Sequence, residues 1–317
     1  MKISVIKANE ITPELTEKWV DIQNENEILH SPFLTPYYNF LVSTVKADVF
    51  IAILENNNKI VGFFPFEKKD KTSGEPVGKG VTDYQAVIIK KNTPIDVAKL
   101  ITKCGLNSWE FDHLLMSQEM FKPYYTFETI SPIIDLSKGY EHYKTERRCS
   151  GTEQIIQIEK QINKIEKEVG KICFTQSIMD IEMLKKLTNW KSAQFKRTGV
   201  FDDFSIVWVR DLYEKIFYFE KRIDFSILLS VIFLEDKPIA IEIGLRYKSV
   251  NHGWTSAYDI NYSKYSPGLI LQLKIIENSN SIGITRIDLG KGTYLYKIRI
   301  MNNSIQIAEG IVNLVTN

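Results

Sequence analysis

The sequence predicts a mixed α/β chain built from two similar halves. Apolar runs of strand length alternate with segments of helical period along the whole chain. One device, apolar strand, acidic-polar turn, apolar strand, occurs twice, as IAILENNNKIVGFFPF and as SVIFLEDKPIAIEIGL. The length of 317 residues, with 44% hydrophobic and 25% charged side chains, suits two ordinary domains and excludes a disordered or fibrous chain.

In the first half, residues 1–137, a strand (Ile3 to Ile6) precedes a helix from Pro13 to Gln23. Ser31-Pro32 and Thr35-Pro36 punctuate the approach to a second helix, Pro36 to Val45, because proline suits the first helical position. The first hairpin pairs Val49 to Leu54 with Ile60 to Phe64 around the turn Glu55 to Lys59. Gly74 to Gly80 reads as a loop, since it lacks the strand-to-helix setting of a dinucleotide fingerprint. Val81 to Ile88 reads as a strand with polar residues where it begins. A helix (Pro94 to Lys103) and two strands (Ser108 to Leu115, Phe127 to Leu136) complete the half.

Residues 138–170 are expected to join the halves: a linker, Ser137 to Ser150, then a helix from Thr152 to Val169. Ile155, Ile158, Ile162, Ile165 and Val169 recur at three- and four-residue steps as one apolar seam, and Gly170 stops the helix. The second half, residues 171–317, repeats the theme. A strand (Ile172 to Phe174) leads into helices Asp180 to Lys196 and Val207 to Phe219, then the second hairpin, Phe225 to Leu234 with Ile239 to Tyr247. Strand His252 to Tyr258, helix Pro267 to Asn278, strand Ile284 to Leu289, a short helix and strand Ile305 to Val312 follow.

Several functions are excluded. Lys and Arg total 40 and Asp and Glu 39, so no global charge draws nucleic acid or an anionic membrane. The longest apolar stretch, Phe225 to Leu234, is half the roughly 20 residues of a membrane-spanning helix, so no membrane insertion is expected. Met1-Lys2-Ile3-Ser4-Val5 lacks the features of a signal peptide, and Cys104, Cys149 and Cys173 are scattered and odd in number; a reducing, cytoplasmic setting is expected. The four histidines and three cysteines never take metal-site spacing. No G-x-S-x-G, H-E-x-x-H or G-x-x-x-x-G-K-[ST] occurs, so neither a metal nor a covalent enzyme intermediate is expected.

The strongest local signal is Tyr265-Ser266-Pro267-Gly268-Leu269. Ser266 suits an N-cap, Pro267 the first helical position, and Gly268 lets another group approach the backbone. A helix N-terminus after a strand offers free N–H groups and a positive dipole end to a phosphate; a well-capped helix is the plain alternative.

In its order of elements the chain resembles the Gcn5-related N-acetyltransferases (GNAT): strand, polar loop with a glycine, helix, strand, aromatic-rich short helix. The resemblance is carried by SPFLTPYY, IVGFFPF, GVTDYQ, WKSAQFKRTG, AYDINYSKYSPGLIL and IDLGKGTYLYK, which span most of the chain in order. It is closer to the two-domain members, similar to CelD-type proteins, and the fold also resembles the Fem-type peptidoglycan aminoacyl ligases. The sequence departs from the family's Q/R-x-x-G-x-G/A loop, because Pro267 stands where a second residue of that loop would be. The resemblance implies two tandem GNAT-like domains, with acyl-CoA held in the second and a nucleotide sugar in a cleft between them. The implied reaction is direct acyl transfer, of an acetyl or 3-hydroxybutanoyl type, to the amine of a nucleotide-linked sugar such as a dTDP-3-amino-3,6-dideoxyhexose for surface polysaccharide. A Fem-type transferase using aminoacyl-tRNA, which near-zero net charge disfavours, and a non-catalytic precursor-binding module are the rival readings. Nucleic acid is not an expected partner, and a homo-oligomer is left open.

Aminolysis of a thioester needs a proton acceptor for the amine, a polarised carbonyl and a proton for the thiolate. The Fem-type resemblance, which places an Asp in a matching DY position, makes Asp83 the expected base; a turn-capping Asp is the alternative. Strand alternation puts His252, Trp254, Ser256 and Tyr258 on one face, with Asp259 at the strand's end. His252 and Asp288 are reserve bases, or else a core histidine and a turn cap. Tyr296 falls where the resemblance implies a tyrosine that protonates the leaving thiolate, and Lys297 could meet a CoA phosphate. Tyr258, Tyr265, Ser266, Pro267, Gly268 and Leu269 are the other expected CoA contacts.

Met183, Leu187, Trp190, Gln194 and Arg197 follow one helix face that turns polar toward its end. The face is either a stripe running out to a cleft, with Trp190 stacking and Arg197 meeting a phosphate, or an amphipathic helix ending at the surface. Trp190, Gln194 and Arg197, with Tyr84, Gln85, Trp254 and Asp259, are the expected substrate contacts. Arg147 and Arg148 read as a solvated basic pair.

Overall fold

The computed structural model describes residues 1–219 and 224–314. The chain forms two compact units, one of Met1–Ile130 with Ile305–Asn317 and one of Ser131–Ser304. These bounds differ from the expected ones at both ends of the second half. Residues 138–170 lie within the second unit, because Tyr143, Ile155, Ile158 and Ile165 are buried in its core. The C-terminal strand, Asn303–Asn313, falls mostly in the first unit, because it pairs antiparallel with Ser108–Leu115 there.

The first unit contains β1 (Lys2–Lys7), α1 (Pro13–Asn24), α2 (Pro36–Ser43), β2 (Val49–Asn56), β3 (Lys59–Lys68), β4 (Ser73–Glu75), β5 (Ile88–Ile89), α3 (Val97–Lys103), β6 (Ser108–Leu115) and the first half of β7 (Tyr125–Asp135). Its sheet runs β1-β2-β3-β4-β6, then the C-terminal strand, then β7, with β5 added to β3. Thr12 and Thr35 cap α1 and α2 by accepting from the N–H groups of Leu15 and Tyr38, each just before a proline at the first helical position. Trp19 of α1 stacks on Phe63 at 4.9 Å, while Val97, Leu100 and Ile101 of α3 pack with Phe64, Phe66 and Trp109.

The expected strand Val81 to Ile88 is for the most part not one: β5 is its only strand segment, and Gln85 makes a single bridge to Leu114. Tyr84 takes φ +68°, which no strand can carry, and the Gln85 side chain replaces ladder bonds by accepting from the N–H groups of Asp112 and His113. Gly310, at a register shift in the C-terminal strand, is closed in. A methyl there would overlap the Tyr124 carbonyl and come within 2.6 Å of the Phe111 ring. Gly310→Ala is therefore expected to destabilise the protein by about 3 kcal/mol in urea unfolding, because a carbonyl cannot give way as a side chain can.

The second unit contains the rest of β7, α4 (Tyr140–Cys149), α5 (Gln154–Glu168), β8 (Ile172–Gln176), α6 (Ile181–Thr198), α7 (Val207–Tyr218), β9 (Phe225–Leu234), β10 (Lys237–Tyr247), β11 (Val250–Tyr258), α8 (Pro267–Ser279), β12 (Arg286–Asp288) and α9 (Leu295–Ile300). The expected linker Ser137 to Ser150 holds α4, whose fully buried Tyr143 donates to the Ile300 carbonyl. Apart from its tyrosines that helix is polar, which hid it among linker residues. No helix among the described residues is long and apolar enough to cross a membrane.

The sheet order is β7-β12-β11-β10-β9-β8, antiparallel except for β11 beside β12, which α8 connects as a crossover. Two irregularities open this sheet at one end. β12 pairs with β11 only from Val250 to His252, and β11 runs on to Tyr258, so the two strands part. A bulge lies in β11, where Gly253 pairs with Gly244 and Thr255 with Ile243, so that Trp254 is the extra residue of the bulge. The expected alternation from His252 to Tyr258 therefore breaks. Trp254 and Thr255 both reach Tyr213 of α7, by ring stacking at 4.0 Å and a 2.7 Å hydroxyl bond, while Ser256 and Tyr258 turn to the opening.

Candidate active site

Where β11 outruns β12, its free edge, the start of α8 and α9 enclose a cleft of about 370 Å³. Lys191 and Gln194 of α6 line one side, Ser256 and Tyr258 of β11 the floor, and Ser266, Gly268, Leu269 and Gln272 the α8 side, with Tyr296 of α9 at the edge. Gln272 is 9% exposed, and its amide nitrogen has no partner among the described residues, so a buried donor faces this space. A second cleft of about 380 Å³ shares Ser266, Leu269 and Tyr296 and continues between α8, α9 and α5, past Gln157 and Arg299.

Ser266 does not cap α8 with its side chain. It takes the left-handed conformation (φ 54°, ψ 53°), which puts its carbonyl rather than its hydroxyl under the first turn. That carbonyl accepts from Leu269 N at 3.0 Å and Ile270 N at 3.2 Å. Pro267 has no N–H to offer, so among the described residues the first N–H left at the helix mouth is that of Gly268. Gly268 lines the cleft, and a Cβ there would meet the Tyr258 ring at an ordinary contact distance of 3.5 Å.

Behind Ser256 lies a carboxylate. Glu242 of β10 is the register partner of Ser256 and projects to the same face. It is 6% exposed, and one of its oxygens has no partner among the described residues. Burial raises its pKa to about 7, with neighbouring His252 pulling the other way. Tyr296 is pushed up to about 12 by burial first, then by the charge of Glu242 and by Tyr294, so it stays a hydrogen-bond donor near neutrality. Burial also lowers the Lys191 ammonium, against the pull of Asp203.

The expected residues divide between the cleft and the scaffold. Tyr258, Ser266, Gly268, Leu269, Gln194 and Tyr296 line the cleft together, with Pro267 buried at the first position of α8. Asp288 is fully buried, accepting from the Ser131 hydroxyl at 2.8 Å and Gly290 N at 2.9 Å, with His252, equally buried, 3.5 Å away. Lys297 is buried and donates to the Gly290 and Lys291 carbonyls at 3.1 and 3.0 Å. Tyr265 points into the core and bonds Glu168 at 2.7 Å, and Asp259 accepts from Asn261 N at 3.0 Å. Trp190 is half-buried and Arg197 exposed, and neither lines the cleft.

Asp83, Tyr84 and Gln85 lie in the first unit. Asp83 sits 3.2 Å from Nε2 of His113, whose Nδ1 is 2.9 Å from Asp112; Asp112 in turn accepts from the Gln85 amide. Tyr84 and Gln85 are both buried.

Sequence reasoning missed Glu242, Gln272, Ser256 and Lys191. For Glu242 a signal existed: it is the one acid within the apolar run Ile239-Ala240-Ile241-Glu242-Ile243. Among the described residues no three His, Cys, Asp or Glu side chains converge as a metal site.

Residues 154–298 match the family model of the acetyltransferase (GNAT) domain. No curated protein matches the chain in sequence. Among solved structures it is similar to FemX, at 11% identity over 100% of this chain and 98% of that one, with a TM-score of 0.61. It is also similar to a tandem GNAT protein from the clavulanic acid biosynthesis pathway, at 8% identity over 100% of both chains, with a TM-score of 0.56. A GCN5-related glucosamine N-acetyltransferase region of a fungal multi-domain GH3 β-N-acetylglucosaminidase matches at 11% identity over 98% of this chain and 38% of that one, with a TM-score of 0.50. At such identities these likenesses show a fold, that of two GNAT domains in tandem.

Proposed function

For a two-domain GNAT protein whose acetyltransferase domain spans residues 154–298, we propose N-acyl transfer from acyl-CoA to the amine of a nucleotide-linked amino sugar. The observation that carries the reading is the cleft where β11 and β12 part, open to the N-terminus of α8 on one side and to α6 on the other. Gly268 N–H and the start of α8 suit the pyrophosphate of CoA. Among the described residues no strand pairs with this edge of β11 beyond His252, an arrangement that suits backbone polarisation of a thioester carbonyl. The amine enters from the α6 side, beside Gln194 and Lys191.

Glu242, not Asp83 or Asp288, is the base in this reading: it stands behind the cleft floor and is half-ionised near pH 7. It takes the amine's proton as nitrogen attacks the carbonyl carbon. Tyr296 holds a hydrogen bond to the departing sulfur, and the proton lost by the amine ends on the thiol. The acyl group is of an acetyl or 3-hydroxybutanoyl type, and the sugar reading is supported by the glucosamine specificity in the name of the fungal relative.

An aminoacyl donor of the Fem type is the second reading, favoured by the full-length likeness to FemX. Calorimetry separates the two. Acetyl-CoA is expected to bind the wild type in the micromolar range, and Gly268→Trp to weaken it at least about 100-fold by filling the helix mouth. Absence of binding to the wild type would leave the aminoacyl reading standing instead.

A further inference from the structure

Two buried polar atoms near the opening of the sheet have no hydrogen-bond partner among the described residues: Oε1 of Glu242, an acceptor, and Nε2 of Gln272, a donor. They stand at one level of the fold. α8 joins the parallel strands β11 and β12 as a crossover and so runs against β11. The start of α8 lies beside the end of β11, since a Cβ on Gly268 would meet the Tyr258 ring. Gln272 is four residues on from Gly268, one helical turn or about 6 Å deeper on the same face. Ser256 is two residues back from Tyr258, about 7 Å down the strand, with Glu242 as its register partner on β10. Gln272, Ser256 and Glu242 are therefore level, and Gln272 and Ser256 line the same cleft.

A donor and an acceptor that are both buried and do not bond each other suit a ligand group presenting the reverse pair. An amine adding to a thioester is such a group: its nitrogen has a proton to give up, and the carbonyl oxygen gathers negative charge. We infer that Gln272 is a catalytic residue whose side-chain amide donates to the carbonyl oxygen of the thioester, opposite the carboxylate that takes the amine's proton. The inference rests on the acyl-CoA reading of the function. As the N–C bond forms, the C=O electron pair moves onto the oxygen held by Gln272. As that pair returns, the C–S bond breaks and the sulfur takes the proton. Nε2 breaks no bond to the protein when the oxygen arrives, so the contact strengthens as charge grows there.

The test compares the wild type with Gln272→Met and Gln272→Leu, which keep much of the bulk and remove the donor. Both are expected to unfold in urea no earlier than the wild type, because an unpaired buried donor is lost. In titration calorimetry the wild type is expected to bind acetyl-CoA about tenfold tighter than S-ethyl-CoA, which has the same carbons and sulfur without the carbonyl oxygen. The variants should bind the two ligands alike. Acetyl transfer to hydroxylamine at saturating acetyl-CoA is expected to slow about 10²-fold in the variants. Equal binding of the two ligands by the wild type overturns the inference while leaving the acyl-CoA reading intact. A preference that survives in the variants, or an unchanged rate of transfer, overturns it as well, since a merely structural glutamine would give either. No binding of acetyl-CoA or S-ethyl-CoA by the wild type would remove both readings together.

Discussion

Glu242→Gln is expected to lower kcat about 10²–10⁴-fold while leaving acetyl-CoA affinity within about twofold, because in the proposed reaction it removes the proton acceptor, and it does not line the mouth of α8. The pH dependence gives the sharper reading. With the base titrating at about 7, wild-type kcat rises through that pH and levels above it, and the limb disappears in the variant. The same carboxyl leaves a trace in stability. It ionises near 4.5 when the chain is unfolded and near 7 when folded, so the folded state binds more protons between those values. Its stabilising contribution is full below about pH 4.5 and is lost as pH rises through 7, a change of about 3 kcal/mol. Glu242→Gln should therefore unfold at higher urea than the wild type at pH 8, and the two should converge at pH 5. A variant with unchanged kcat, or a wild type whose stability is flat between pH 5 and 8, would sink the assignment.

Asp288→Ala is expected to act on the fold. Its carboxylate is fully buried and accepts from Ser131 and Gly290, so alanine strands two donors beside a cavity. The expected loss is about 3–5 kcal/mol, read as a lower urea midpoint, with Asp288→Asn recovering part of it. These bonds hold the end of β12 where it leaves β11, so the opening itself depends on them. Retained stability with lost turnover would instead make Asp288 a catalytic group.

Much of the fold was legible because it rests on local chemistry. Both hairpins stand where alternating apolar runs and polar turns put them, Val49–Asn56 with Lys59–Lys68 and Phe225–Leu234 with Lys237–Tyr247. The proline-marked starts of α1, α2 and α8 hold as well. The start of α8 was legible for the same reason, since Pro267 announces it. What failed depends on partners far along the chain. A turn residue at Tyr84 and side-chain bonds from Gln85 to β6 replaced an expected strand, and buried tyrosines turned an expected linker into α4.

The sequence by itself determined the kinds and order of the elements and the α8 start, because backbone propensity, capping and apolar period act over a few residues. Only the tertiary structure decided that Asp288 and Lys297 are buried and bonded to neighbouring main chain and Ser131, that Trp254 turns away from the opening, and that Glu242 stands behind it. Burial, strand pairing and the bulge in β11 are set by residues distant in sequence, and the electrostatics of a carboxylate follow from what surrounds it.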